Sequence, residues 1–322
     1  MWLLSGRCTS QARLDGKTAI VTGANCGIGQ YTAYDFVKRG ARVVIACRDL
    51  KKAEEAADEI RRDTMYVEGA GEVVVLKLDL SSIASIRECA REILRTEKKI
   101  NILVNNAGVC YCQKSQTTDG FEMHIGVNHL GHFLFTCLLL PRIIRSAPAR
   151  IVTVASFNNY FVNNVCLEDF HWEKRSFSPF FAYSESKLAN VLFSAELAKR
   201  LQGSEVSTYS LHPGLVLTEA GRHVNPILQW FYQNVICYVC KTCEQGAQTT
   251  IHCAVSEEAG KETGLYYRDC FSLAPNSITK DEKVRQDLWK ESVRLVGLGD
   301  WDPFTAQDSG ELPPDCRETH HK

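Results

Sequence analysis

Short apolar runs alternate along the chain with longer stretches whose apolar residues recur every three or four positions. The runs predict β-strands at residues 17–22, 41–47, 72–78, 100–104, 150–155, 206–211 and 264–267. The longer stretches predict helices at residues 30–39, 50–61, 83–96, 120–145 and 181–201. Such alternation is typical of parallel strands joined by right-handed crossovers. We therefore predict a single-domain α/β fold, a doubly wound sheet of about seven parallel strands with helices on both faces.

The alternating pattern also sets the expected domain boundaries. It is continuous from residue 14 to residue 299 without a linker, so we expect one domain there, preceded by an N-terminal segment at residues 1–13. Only residues 2–4 of that segment are consecutively apolar, fewer than a membrane span or a signal sequence needs. From residue 300 onward the apolar period is lost and three prolines stand among scattered charges, which predicts a disordered tail at 300–322.

Charge and cysteine content exclude some classes of function. The 322 residues are 45% hydrophobic and carry a net charge of −1 at pH 7. The protein therefore has no overall positive electrostatic potential that would attract nucleic acid. The chain has 14 cysteines but no secretory signal, which indicates reduced thiols and a cytoplasmic location. Cys237, Cys240 and Cys243 form a CxxCxxC run, but no second pair of ligands stands nearby at the spacing that zinc sites have. We therefore predict no metal site.

A glycine-rich turn, TGANCGIG at residues 22–29, follows the first predicted strand. Its three glycines permit a tight turn and a close approach of the backbone to a ligand. The helix that follows would offer free main-chain N–H groups and the positive end of its dipole to a phosphate. A plain strand-to-helix turn is the alternative. The Rossmann-type reading predicts a dinucleotide phosphate site formed by Gly23, Asn25, Cys26, Gly27, Ile28 and Gly29.

The end of the second predicted strand bears on the choice of dinucleotide. An acidic residue at this point binds the ribose 2′-hydroxyl of NAD, whereas an arginine accommodates the 2′-phosphate of NADP. Here the strand ends at Cys47 and Arg48 follows, while Asp49 is interpreted as the N-cap of the next helix. The sequence therefore favours NADP(H), and Asp49 leaves NAD(H) as the alternative.

Tyr183 and Lys187 are four residues apart in a predicted helix, which places both side chains on one face. A nearby ammonium favours the phenolate, so we expect the pKa of Tyr183 to fall from about 10 toward neutrality. A tyrosine of that kind can exchange a proton with an alcohol or a carbonyl compound near neutral pH. For this spacing taken alone, a surface pair without a catalytic role is the alternative.

Taken together, these motifs resemble the short-chain dehydrogenase/reductase family and, within it, the retinol dehydrogenases. The matching segments are TGANCGIG (22–29), ACRD (46–49), LDLS (78–81), NNAG (105–108), GVNHLGHF (126–133), YSESKLANVLF (183–193), HPG (212–214) and EQGAQT (244–249). The chain departs from its relatives in two ways. Ala155 stands where many have a serine, and the apolar membrane anchor of the retinol enzymes is not seen, which leaves attachment to the endoplasmic reticulum open.

The resemblance implies a role for each matching position. Tyr183 would be the general acid/base, Lys187 would bind the nicotinamide ribose and lower the pKa of Tyr183, and Ser156 would stabilise the substrate oxygen. Asn128 would hold a water in a proton relay. The other implied cofactor contacts are Arg48, Asp79 and Leu80 after the second and third strands, Asn105, Ala107 and Gly108 after the fourth, and Pro213 and Gly214 after the sixth.

The implied activity is that of an NADP(H)-dependent oxidoreductase which interconverts a hydrophobic alcohol and its aldehyde or ketone, with retinol and retinal the leading candidates. The apolar segment 226–240 fits a helix that covers such a substrate, or an interfacial helix. A catalytically weak NADP-binding scaffold is the alternative. A nucleotide-sugar epimerase or dehydratase is disfavoured by the GxxxGxG spacing. The expected partners are a small hydrophobic substrate, a membrane surface contacted peripherally and a second copy in a homodimer, but no nucleic acid. The cytosolic face of the endoplasmic reticulum is the alternative to a free cytoplasmic location.

Overall fold

The computed structural model describes residues 5–216 and 240–317. The strands among them are β1 (Thr18–Thr22), β2 (Arg42–Cys47), β3 (Glu72–Lys77), β4 (Ile102–Asn105), β5 (Ala149–Val154), β6 (Val206–His212), β7 (Leu265–Arg268) and β8 (Phe271–Leu273). They form one sheet in the order β3-β2-β1-β4-β5-β6-β7-β8. The strand order reverses between β1 and β4, and ligands of such sheets bind at this switch point, beyond the carboxyl ends of the strands.

The helices cover both faces of this sheet. They are α1 (Gly27–Lys38), α2 (Leu50–Thr64), α3 (Ile83–Thr96), α4 (Met123–Ile125), α5 (His132–Arg145), α6 (Pro179–Arg200), α7 (Cys243–Val255) and α8 (Glu282–Leu295). One apolar core joins the sheet to α1, α2 and α7, and a second joins it to α3, α5, α6 and α8. Because the central strands are buried between these layers, their sequences are continuous apolar runs, as in β1, where all five residues are buried.

The predicted α/β fold is confirmed, with one difference in the sheet. Seven strands are parallel, and an eighth, β8, pairs antiparallel with β7. The eighth strand has only three residues, all exposed, so it is too short to give the apolar run from which the other strands were predicted.

The predicted helix at 120–145 is one continuous helix at Met123–Arg145, in which Gly126–Gly131 forms a π-helical turn between α4 and α5. By length and composition this is the one helix among the described residues that could cross a membrane. Its apolar window is 89% buried inside the protein, as expected for the core helix of a globular domain. The apolar segment 226–240 lies outside the described residues except for Cys240, as does Cys237.

Residues 300–317 lie against α3 and α5, so the expected disorder does not describe them. The carboxylate of Asp308 pairs with Arg142 and, at 2.8 Å, with Arg145. The Arg87 guanidinium donates to the carbonyl oxygens of Pro313 and Pro314. These contacts join the end of the described chain to two helices of the domain, although its composition is that of an unfolded segment.

Candidate active site

The glycine turn lies at the carboxyl end of β1, where its backbone requires glycine. Gly23 and Gly27 have φ values of +65° and +63°, which side chains rarely tolerate. A Cβ on Gly29 would lie 2.5 Å from Asn106 Nδ2 and 2.7 Å from the Gly23 carbonyl oxygen. Cys26, the N-cap of α1, makes no side-chain capping bond, so the first N–H groups of the helix are available to an anion. Asn25 and Ile28 complete this turn, whose shape fits a dinucleotide phosphate.

Asn106, which the sequence analysis did not single out, fixes this turn from β4. Its side-chain amide donates to the Thr22 and Gly23 carbonyl oxygens at 2.8 and 3.3 Å. In return, the Thr22 hydroxyl accepts the main-chain N–H groups of Asn106 and Ala107 at 2.9 and 3.0 Å. The NNAG segment was recognised at residues 105–108, but the exchange between its second asparagine and β1 could not be seen in sequence.

A buried histidine continues this network into the long helix. His132 Nδ1 is 3.0 Å from the Asn128 carbonyl oxygen, which can only accept, so Nδ1 carries the proton. The opposite nitrogen, Nε2, then accepts from the Thr22 hydroxyl at 2.9 Å. Burial lowers the pKa of His132 to about 4, so the ring is neutral at pH 7. His132 is buried and links β1 to Asn128.

Asn128 lies in the π-helical turn and connects three parts of the site. Its side-chain oxygen accepts the Val109 N–H at 2.8 Å, and its amide donates to the Val109 carbonyl oxygen and to the Ser186 hydroxyl. Because Ser186 precedes Lys187 on α6, the asparagine holds α6 against the loop after β4. Turns of π-helix are frequent at functional sites.

Ser156, Tyr183 and Lys187 meet at the carboxyl end of β5. The side chains of Ser156 and Cys110 lie beside the Tyr183 phenol. The Lys187 ammonium lies 5.7 Å from the centroid of the Tyr183 ring and donates to the Val154 carbonyl oxygen at 2.9 Å. The structure therefore brings together the groups that the resemblance implies, together with a thiol that it does not.

The predicted fall in the pKa of Tyr183 is not found. Burial raises the pKa of Tyr183 well above its usual value of about 10, and the neighbouring Cys110 adds to the rise. The Lys187 ammonium points to Val154, and burial lowers the pKa of Lys187 itself to about 8. Sequence spacing placed the two groups near each other, but it did not include the loss of hydration that both of them undergo.

The ends of β2 and β3 carry the residues expected near the adenosine. Arg48 is exposed after β2 and has no ion pair within the ranges 5–216 and 240–317. Asp49 caps α2 by accepting the Lys52 N–H at 3.2 Å, as interpreted from sequence. Asp79 is partly buried and accepts from the hydroxyl and main-chain N–H of Ser81, and the adjoining Leu80 is buried.

The remaining predicted cofactor residues lie after β4 and β6. Asn105 turns its buried side chain toward α5, where it donates to Thr136 at 2.9 Å, so only its main chain faces the end of the sheet. A Cβ on Gly108 would lie 3.1 Å from the Asn128 side-chain oxygen, a tight contact, and 3.5 Å from Lys187 Nζ. Pro213 and Gly214 follow β6, and Gly214 has a φ of +97°.

A row of exposed aromatic rings begins at Tyr183. Tyr111 makes an edge contact with Tyr183 at 5.0 Å between ring centroids and stacks on Phe180 at 6.2 Å. Phe161 contacts Phe180 at 5.3 Å and Phe157 at 5.8 Å. We call Tyr111, Phe157, Phe161 and Phe180 the aromatic wall. The sequence analysis missed it because its members come from three separate segments.

Comparison with known proteins agrees with this geometry. A family model for short chain dehydrogenases matches residues 17–167. The chain is 48% identical to human retinol dehydrogenase 12 over 91% of its length and 90% of that protein, and 46% identical to human retinol dehydrogenase 11 over 92% and 91%. Among solved structures, an uncharacterized protein from Mycobacterium Paratuberculosis superposes with a TM-score of 0.70 at 32% identity, over 90% of this chain and 97% of that one.

Proposed function

The chain belongs to the short-chain dehydrogenase/reductase family, in its retinol dehydrogenase-like group, and from this premise we propose that it is an NADP(H)-dependent oxidoreductase of hydrophobic alcohols and aldehydes. The family is one of oxidoreductases that act on CH–OH groups. The observation that carries the proposal is the meeting of Ser156, Tyr183 and Lys187 at the end of β5, beside the aromatic wall.

The chain's own residues suggest how the proton moves. A nicotinamide dinucleotide, when bound, supplies or accepts the hydride. Ser156 is placed to hydrogen-bond the substrate oxygen, and the Tyr183 phenol can give its proton to that oxygen or take it back. Lys187, whose lowered pKa of about 8 allows it to exchange protons near neutral pH, is the next group of the relay. Asn128 would position α6 and the loop after β4 for this exchange.

The aromatic wall supports an apolar substrate. Its four rings are 38 to 52% exposed, although large aromatic side chains are usually buried. A contiguous apolar surface that begins at the proposed acid/base is typical of a ligand-binding site. The relatives named retinol dehydrogenase have a polyene alcohol as the substrate in their name, so retinal and retinol are the first compounds to test.

Arg48 supports the preference for NADP(H). It is exposed at the end of β2, where a 2′-phosphate would lie, while the rival Asp49 uses its carboxylate to cap α2. Arg48→Ala should therefore weaken NADPH binding more than NADH binding. Arg91→Ala, which removes an exposed arginine from α3, is the matched control and should leave both affinities unchanged.

The decisive experiment measures oxidation of NADPH and of NADH by the purified protein with all-trans-retinal, a steroid ketone and a long-chain aldehyde. We expect turnover with NADPH and retinal. Tyr183→Phe should lower kcat by about 10²- to 10⁴-fold, the usual contribution of a general acid, while NADPH affinity is retained. Binding of NADPH without turnover of any carbonyl compound would favour the scaffold alternative, and a clear preference for NADH would contradict the role of Arg48.

The wall has its own test. Phe161→Ser should raise the KM for retinal at least several-fold but leave the KM for a three-carbon aldehyde unchanged, because a short substrate does not reach the wall. Tyr66→Ser, at a distant and 90% exposed aromatic residue, is the control. Equal effects of both substitutions on retinal would show that the wall does not bind substrate.

A further inference from the structure

A second group of reactive side chains lies next to Tyr183 and takes no part in the proposed hydride and proton transfer. Cys112 Sγ is 3.3 Å from His124 Nε2, and His124 Nδ1 is 2.6 Å from Glu122 Oε1. This order, a thiol on a ring nitrogen whose opposite nitrogen binds a carboxylate, is that of an activated nucleophile with its base and orienting acid. His124 and Glu122 are almost fully buried, whereas Cys112 is partly exposed.

The surrounding contacts fix this geometry. Glu122 accepts the Ile125 N–H through its second oxygen, so its carboxylate is anchored as the cap of α4. The His124 ring packs beside Tyr183, with ring centroids 6.3 Å apart. Tyr111, the residue between Cys110 and Cys112, has a φ of +52°, a left-handed conformation that costs roughly 1 kcal/mol in a residue other than glycine. Strain of this kind persists mainly at functional sites.

The hydrogen bonds of His124 fix its tautomer. The Glu122 carboxylate can only accept, so Nδ1 carries the proton, and Nε2 accepts the Cys112 main-chain N–H at 3.2 Å. Nε2 therefore presents its lone pair on the side of the cysteine. A metal is not the explanation, because no group of three His, Cys, Asp or Glu side chains within the described ranges has a metal-binding arrangement.

We propose that Cys112, His124 and Glu122 form a covalent capture site for α,β-unsaturated aldehydes at the edge of the catalytic pocket. The thiol proton passes to His124 Nε2, and the sulfur electron pair forms a C–S bond to the β-carbon of the aldehyde. The electron pair of the C=C bond becomes an enolate, which takes the proton back from His124 at the α-carbon. The product is a saturated aldehyde thioether, formed without an oxidant or reductant.

The test uses trans-2-nonenal as the probe on the full chain without added dinucleotide, and peptide mass spectrometry to follow each cysteine. At pH 7 we expect Cys112 to react at least tenfold faster than Cys166, which is also partly exposed. Equal labelling rates for the two cysteines at pH 7 would overturn the proposal without any variant.

Substitutions then assign the roles. His124→Gln should slow labelling of Cys112 at least tenfold at pH 7, and Glu122→Gln should slow it to a smaller extent. Cys110→Ser is the matched control, because it removes the neighbouring thiol and should leave the Cys112 rate unchanged. Equal labelling of Cys112 in the wild type and in a folded His124→Gln variant would contradict the proposal.

Capture should also stop turnover, because the adduct would lie against Tyr183. This consequence rests on the proposed oxidoreductase function, whereas the labelling rates do not. Labelling of Cys112 without loss of activity would therefore contradict the position of the adduct or the proposed function, while fast labelling of Cys112 that depends on His124 would still identify the capture site.

Discussion

The buried Thr22 hydroxyl is the point at which the glycine turn, β4 and the long helix are joined. Replacing it by valine keeps the shape of the side chain but removes its hydrogen bonds to His132, Asn106 and Ala107. His132 Nε2 then loses its donor and the Ala107 N–H loses its acceptor, while the Asn106 N–H keeps the Val104 carbonyl oxygen at 3.1 Å. Thr22→Ser keeps the hydroxyl and removes only a methyl group, so it is the matched control.

The two substitutions should lower the free energy of unfolding by different amounts. An unsatisfied buried polar group costs about 1 to 3 kcal/mol. The Ala107 N–H belongs to a partly buried residue and falls at the low end, while the His132 nitrogen is fully buried. We therefore expect Thr22→Val to lower the free energy of unfolding by about 2 to 4 kcal/mol. Loss of one buried methyl group in Thr22→Ser should cost about 1 kcal/mol.

Urea unfolding followed by circular dichroism and by tryptophan fluorescence gives both values. NADPH affinity, measured on the folded protein, should fall more in Thr22→Val than in Thr22→Ser, because the turn loses its fixed position against β4. If the valine variant is as stable as the serine variant, or more stable, the hydroxyl does not hold the three elements together and the network described here is wrong.

Three further predictions follow from the structure. Gly29→Ala should lower NADPH affinity at least tenfold, since its Cβ would lie 2.5 Å from a neighbouring side chain. Gly120→Ala is the control: its φ of +84° strains the backbone, but its Cβ meets nothing within 4 Å, so NADPH affinity should not fall, and equal affinities of the two variants in a titration would contradict this. Burial lowers the pKa of His129 to about 3 and of His132 to about 4, below the unfolded value of about 6.5, so the unfolded chain binds more protons between pH 6.5 and 4. Acidification through that window should therefore lower the free energy of unfolding by up to about 1.4 kcal/mol per pH unit for each histidine, with no such loss above pH 7, and a flat profile in urea titrations would refute it. Asp308→Asn should lower the free energy of unfolding by about 3 to 5 kcal/mol, because it removes the negative charge that pairs with the buried Arg142. An unchanged melting temperature would show that the end of the described chain is not a stabilising part of the domain.

Elements with a local signal could be predicted from the sequence. The parallel strands are buried on both faces and therefore read as apolar runs, and the cap of α2 by Asp49 follows from residues three apart. The glycine turn was predictable because positive φ values restrict which residues can occupy it. In each case the physical requirement acts within a few residues of the chain.

The parts that were missed depend on contacts between distant residues. Thr22 and His132 are 110 positions apart, and Arg87 reaches Pro313 across 226 positions, so neither pair has a sequence signature. The pKa of Tyr183 was predicted with the wrong sign because spacing indicates proximity to Lys187 but says nothing of burial. The spacing also could not show where the Lys187 ammonium points. It donates to the Val154 carbonyl oxygen and not to the Tyr183 phenol.

One connected set of hydrogen bonds holds both the glycine turn and the part of α6 that carries Tyr183 and Lys187. Asn106 and Thr22 hold the glycine turn, and Thr22 reaches the Asn128 carbonyl oxygen through His132. The Asn128 side chain then binds Ser186, the residue before Lys187. A dinucleotide that settles on the glycine turn would therefore meet proton-transfer groups whose position is already fixed by the same strand. An asparagine is unfavourable inside a helix unless its side chain has partners, and in this π-helical turn the Asn128 amide binds both a neighbouring loop and α6.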